Sequence, residues 1–104
     1  MDLRRVLVIG GVDAGALPPS VTTVVLPYTQ VNARTISEVL PDLVILPLFG
    51  PGFDAVEALA KLERFGFRGE VLVRGPTLPN SRIVERELSA VVPGLTVRLT
   101  GPAN

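Results

Sequence analysis

Pro41-Asp42-Leu43-Val44-Ile45-Leu46-Pro47-Leu48-Phe49-Gly50-Pro51-Gly52-Phe53-Asp54-Ala55-Val56-Glu57-Ala58-Leu59 is the stretch that decides the fold. Leu43 to Leu46 is an unbroken apolar run, as expected for a strand covered on both faces. Gly50-Pro51-Gly52 reads as a loop. Asp54, with Glu57 three residues later, gives a capping-box-like start to a helix running to Arg64. Val56, Leu59, Ala60 and Leu62 form its apolar stripe, and Gly66 ends it.

The same grammar extends in both directions. Short runs rich in Val, Ile and Leu lie at Val6 to Ile9, Val21 to Leu26, Val71 to Val73 and Leu95 to Leu99. The last alternates, with Leu95, Val97 and Leu99 against Thr96, Arg98 and Thr100, which is the pattern of an edge strand. Two more helices are predicted. One covers Ala33 to Leu40 behind an Asn32 cap. The other runs from an Asn80 or Ser81 cap to about Val92, with Ile83, Val84, Leu88, Val91 and Val92 inward and Pro93-Gly94 as the stop. Strands alternating with helices predict a parallel α/β sheet, and five strands at this spacing suit the order 2-1-3-4-5. No repeat or linker divides residues 1–104, so one domain is expected.

Composition narrows the chemistry. The chain has no Cys and no His, which removes thiolate catalysis, disulfides and the commonest general base. Net charge is zero, so nothing favours nucleic acid or an anionic membrane as partner. No apolar run approaches the roughly 20 residues needed to span a bilayer, and the first residues do not read as a signal peptide. A cytoplasmic protein is the expectation. All the basic residues except Lys61 are Arg, which fits a GC-rich coding bias better than Arg-mediated binding.

Pro-Asp-Leu-Val-Ile-Leu followed by a loop ending in Pro51-Gly52 and a helix resembles the phosphorylation-site segment of bacterial response-regulator receiver domains. The resemblance covers nearly the whole chain and implies a three-layer flavodoxin-like fold within two-component signalling. It fails at each chemical position. Receivers end the first strand with paired acids that hold Mg²⁺; here stand Gly10 and Gly11, with Asp13 the nearest acid. The phosphoryl acceptor is replaced by Pro47, the Thr or Ser after the fourth strand by Gly75 or Arg74, and the Lys of the last motif by Gly101 in Leu99-Thr100-Gly101-Pro102. Acyl-phosphate formation needs a carboxylate, a metal and a cation to hold the phosphate. Gly10, Gly11, Pro47, Gly75 and Gly101 supply none of them. The resemblance therefore implies a pseudo-receiver: not an enzyme, without cofactor or metal, acting on a protein partner or on a second copy of itself.

One layer looks thin. Residues 10–20 hold three glycines and two prolines, so the first helix should be shortened or absent, and the chain stops just after the last strand, where a receiver has its fifth helix. Right-handed crossovers put these two helices on one face and the other three on the opposite face. An uncovered patch of about 400 Å² would forgo on the order of 10 kcal/mol, comparable to the stability of a small domain. Self-association through that face is expected, with Leu95, Val97, Leu99 and the first strand involved. The alternative is that residues 11–20 cross the face as a packed loop plugged by Val12 and Leu17.

Other constellations have plainer readings beside functional ones. Gly10-Gly11-x-x-x-Gly15 is a structural turn or, in a rival reading, a loop for a small ligand or nucleotide. Asp54 and Glu57 suit helix capping better than a divalent site, and Asp13 suits a turn. Arg82, Glu85, Arg86 and Glu87 form a solvated helix face or a docking surface. Arg74 and Arg98 lie on neighbouring strands and suit local salt bridges or a partner's carboxylate. Phe49, Phe53 and Leu78 sit at the carboxyl rim, either packed over a filled pocket or offered to a partner.

Overall fold

Five parallel strands form the centre of the protein. The computed structural model describes residues 4–12, 14, 15 and 17–101. Asp13 and Pro102, singled out above, lie outside the described residues. The sheet strands are β1 (Arg5–Ile9), β2 (Thr22–Leu26), β3 (Leu43–Pro47), β6 (Glu70–Arg74) and β7 (Thr96–Thr100). A two-stranded hairpin, β4 (Phe49–Gly50) with β5 (Phe53–Asp54), sits between β3 and the second helix. The helices are α1 (Ala33–Val39), α2 (Ala55–Arg64) and α3 (Ser81–Val91). The sheet order is β2-β1-β3-β6-β7, parallel throughout, which is the expected 2-1-3-4-5 once the hairpin is set aside. The fold is thus flavodoxin-like α/β with reduced helices.

Side-chain alternation along the strands sorts the core into two faces. Leu7, Ile9, Val44, Leu46, Val71, Val73 and Val97 pack against Ile36 of α1, Leu59 and Leu62 of α2 and Leu88 of α3. The three helices therefore share one face, as right-handed crossovers require. On the other face Val6, Val8, Leu43 and Ile45 form a second cluster. No helix forms among the described residues of 10–21. Instead Val12, Ala14, Leu17 and Val21 pack directly onto that cluster. Arg74 reaches across from β6, and its Nη2 donates to the Ala14 carbonyl at 3.0 Å.

This overturns the expected self-association face. Leu95 and Val97 are buried in the helix-covered core, and Leu99 packs against it, so none of them faces the helix-poor side. Thr96, Arg98 and Thr100 do. The reason is register: Val71↔Val97 and Val73↔Leu99 place these side chains beside inward-facing valines. The packed-loop alternative is the one that holds.

The helices begin as their caps dictate, but their stripes are rotated. Asn32 Oδ1 accepts from Thr35 N–H while Thr35 Oγ1 accepts from Asn32 N–H, a complete capping box. Asp54 Oδ1 accepts from Glu57 N–H. Asn80 caps α3 without a side-chain bond. In α2 the buried residues are Ala55, Ala58, Leu59 and Leu62, so Val56 and Ala60 point outward, contrary to the expected stripe. In α3 Leu88 is buried and Val92 follows it inside, whereas Ile83 and Val91 are exposed. Ala55 and Ala58 take two of the buried positions of α2, where small side chains suit close packing.

Asp42 stitches the start of the sheet. Its Oδ2 accepts from the backbone N–H groups of both Arg4 and Arg5 at 2.9 Å. These two bonds, Arg5 first, hold its carboxyl below its ordinary value of 3.8. A depressed folded pKa means stability present above the unfolded value and lost as pH falls through the folded one. Asp42→Asn is therefore expected to narrow its stability gap to the wild type as pH is lowered below about 3.8, as read by urea titrations at stepped pH.

Candidate functional site

At the carboxyl rim, where open α/β sheets bind their ligands, the strands end on an apolar plug. Pro47, the last residue of β3, is buried. Phe53, on the hairpin, lies with its ring against two glycines. A Cβ on Gly10 would come within 2.7 Å of Phe53 Cζ, and one on Gly50 within 2.4 Å of the same ring. The added carbon at Gly50 would also lie 3.0 Å from Pro47 Cγ. Gly10 and Gly50 are thus the floor and wall of a slot that the Phe53 ring fills. Tyr28 closes the outer side, stacked on Phe53 with centroids 4.2 Å apart and planes 12° apart. Lys61 Nζ stands 4.2 Å over the Tyr28 ring and donates to the Tyr28 carbonyl at 3.2 Å. Desolvation, with Glu57 nearby, pushes the Tyr28 hydroxyl above its ordinary value.

Proline at 51 and Gly52 at φ 76° satisfy the requirements of a type II turn, and this turn folds Phe53 back over the rim. Gly75 follows β6 with Leu48 3.1 Å and Leu99 3.6 Å from its would-be Cβ, so apolar side chains crowd this position too. Gly101 follows β7 and is exposed. The Gly10 N–H donates to the Leu26 carbonyl at 3.2 Å and so is not directed at a ligand. Among the described residues, no three carboxylates, histidines or cysteines come together as metal ligands. Asp54 serves as the α2 cap.

No protein-family model, curated protein or solved structure matches this chain.

The helix face offers the more open surface. A groove of about 450 Å³ runs between α2 and α3 below the hairpin, lined by Leu48, Phe49, Ala55, Val56, Leu78, Val84, Leu88 and Val91. Phe49 is 74% exposed, and Val56 and Val91 are also exposed at its margins. The two ionisable residues in its lining are Asp54 and Glu87, both acids. Leu78, expected at a partner surface, lies in this groove, half-buried. Phe49 and Phe53, expected together, part company: the hairpin alternation turns one out and the other in.

The polar candidates resolve into local partners. Arg98 pairs with Glu70 across β7 and β6, Nε to Oε1 at 3.5 Å. Glu85 is not simply solvated, because its Oε2 accepts from Leu99 N–H of β7 at 2.9 Å. Sequence reasoning missed Tyr28 as the cover of the plug and Val56 as a groove residue. The first carried a signal, as the lone tyrosine directly after Pro27 at the end of a strand. The second needed the helix rotation, which only packing fixes.

Proposed function

We propose that this chain is a non-phosphorylatable, receiver-like signalling domain of the cytoplasm that acts by protein–protein contact. The observation that carries the reading is the buried Pro47 at the end of the central strand, locked among Gly10, Gly50 and Phe53. The position at which a receiver accepts a phosphoryl group has neither a nucleophile nor room for the anion. Flanking residues keep the receiver pattern, and the expected strand order accompanies it. No helix of the described residues is long and apolar enough to cross a membrane.

The α2–α3 groove is the surface offered to a protein partner. Its apolar walls favour an amphipathic segment, and Asp54 and Glu87 favour one with basic flanks. Two copies meeting through this groove would bring four like charges together, so the groove fits a different chain.

The test uses the ¹⁵N-labelled protein. Acetyl phosphate with Mg²⁺ is expected to leave its mass and amide spectrum unchanged. A lysine-rich amphipathic helical peptide is expected to shift the amides of Val56, Leu78, Val84 and Val91, and its glutamate counterpart to leave them in place. A phosphoryl adduct would remove the first half of the reading, and indifference of those amides to the basic peptide the second.

A further inference from the structure

The two edges of the sheet are guarded unequally. At β7, Thr96 N–H donates to the Gly69 carbonyl and the Thr100 carbonyl accepts from Gly75 N–H, so the peptide groups of Val97 and Leu99 face outward. That edge is occupied: Glu85 takes the Leu99 N–H, and Arg98 places a charge on the strand. At β2, Thr22 N–H donates to the Arg4 carbonyl at 2.8 Å and the Leu26 carbonyl accepts from Gly10 N–H. Thr22, Val24 and Leu26 therefore turn toward β1, and the N–H and C=O groups of Thr23 and Val25 point away from the sheet.

Nothing along β2 discourages pairing. Residues 21–26 read Val-Thr-Thr-Val-Val-Leu, without charge, proline or bulge. Val25 is 61% exposed. Exposed edges in natural proteins are ordinarily blunted by charges, proline or a covering segment, because an open β-branched edge templates another strand. Here the blunting is present on one edge and missing from the other.

We propose that β2 pairs antiparallel with β2 of a second copy about a two-fold axis through Val24, joining two five-stranded sheets into one. In this register Thr23 faces Val25 of the partner, and each such pair exchanges both of its backbone bonds. Val24 meets Val24 of the partner across the axis. Other centres are poorer. A Thr23 centre sets Val25 against Val21, whose N–H already donates to the Pro18 carbonyl at 3.0 Å. A Val25 centre sets Thr23 against Pro27, which has no N–H. A second copy is favoured over a foreign strand because the free groups are self-complementary about one residue and no like charges oppose each other. The pairing uses only β2 and holds whether or not the domain is receiver-like. A strand of five residues buries less than the roughly 800 Å² per partner of a standard interface, so the dimer is weak.

Sedimentation equilibrium of the full chain tests this, from low micromolar to about 1 mM, the range that a weak dimer titrates. The mass is expected to rise from 11.0 kDa toward twice that value. Amide exchange at Thr23 and Val25 is expected to slow as concentration rises. Val25→Lys, at a side chain already in solvent, is expected to keep a folded chain monomeric, whereas Val91→Lys on α3 leaves association intact. A monomer at every concentration overturns the pairing, as does a dimer that survives Val25→Lys or one that is lost with Val91→Lys. Exchange at Thr23 and Val25 that ignores concentration overturns it as well.

Discussion

Phe53→Ala lowers the unfolding free energy by about 3–5 kcal/mol, the range for deleting a buried aromatic ring. Domains of this size are held by only about 5–15 kcal/mol, so the variant should approach the limit of folding at 37 °C. The size of the effect follows from what surrounds the ring. Its neighbours at the floor and wall are Gly10 and Gly50, which have no side chain to move into the void. Tyr28 loses its stacking partner at 4.2 Å. Urea titration measures the loss. A second readout reports on the site alone, since Tyr28 is the single tyrosine and there is no tryptophan. Burial holds its hydroxyl above the ordinary value of 10.0. With the ring gone and water admitted, the titration seen at 295 nm should move down toward that value. A variant as stable as the wild type, with an unmoved tyrosine titration, would mean that Phe53 does not plug the rim.

The sheet was legible because its information is local and repeated. Leu43 to Leu46 is continuous because both faces of β3 are covered, and Leu95, Val97 and Leu99 alternate because β7 has one covered face. What alternation cannot tell is which face. Leu95, Val97 and Leu99 read as candidates for the open side, yet they pack in or against the helix-covered core, because the β6–β7 register aligns Val97 with Val71 and Leu99 with Val73. The fate of residues 11–20 was equally unreadable. Glycine and proline ruled out a helix there, but whether Leu17 and Val12 would settle onto Val6, Val8 and Ile45 depends on tertiary fit and on the reach of Arg74. Helix rotation failed for a similar reason. Hydrophobicity ranked Val56 above Ala55 and Ala58, but close approach to the sheet selects the smaller side chains.

At the rim, the sequence shows glycines and a proline without ionisable groups, and the structure shows what fills the space between them. Gly10 and Pro47 could have bordered an empty basin ready for some other anion. Instead they border an aromatic ring brought in by a Pro-Gly turn, so the slot between Gly10, Gly50 and Pro47 is filled by packing. The polar work has moved to the periphery. Asp42 fixes the amino end, Arg74 holds the covering loop, and Glu85 seals the β7 edge. The apolar groove between α2 and α3 and the bare β2 edge are two surfaces left unsealed.

Pro47→Asp, which places a carboxylate at the end of β3, should destabilise the protein by about 3 kcal/mol or more at neutral pH and take up no phosphoryl group. The carboxylate would enter a buried position bordered by Gly10, Gly50 and Phe53. The nearest cation in register is Arg74, whose Nη2 already donates to the Ala14 carbonyl. Either the new charge stays unpaired, or it draws Arg74 away and frees the loop that covers Val6, Val8 and Ile45. Both outcomes cost stability. An unpaired buried carboxylate has a raised pKa, so the penalty is absent below the unfolded value and grows as pH rises through the folded one. This is opposite in sign to the contribution of Asp42, which appears as pH rises. Pro47→Asn separates charge from shape: the gap between the Asp and Asn variants, followed by urea titration from about pH 4 to pH 8, should open with pH. No phosphoryl transfer is expected, because Gly10, Gly11 and Gly101 offer no side chain to hold a metal or a phosphate. Mass spectrometry of the Asp variant after acetyl phosphate and Mg²⁺ decides the point, and an adduct at residue 47 would show that the plug yields to the anion and that the rim retains a phosphoryl-binding capacity.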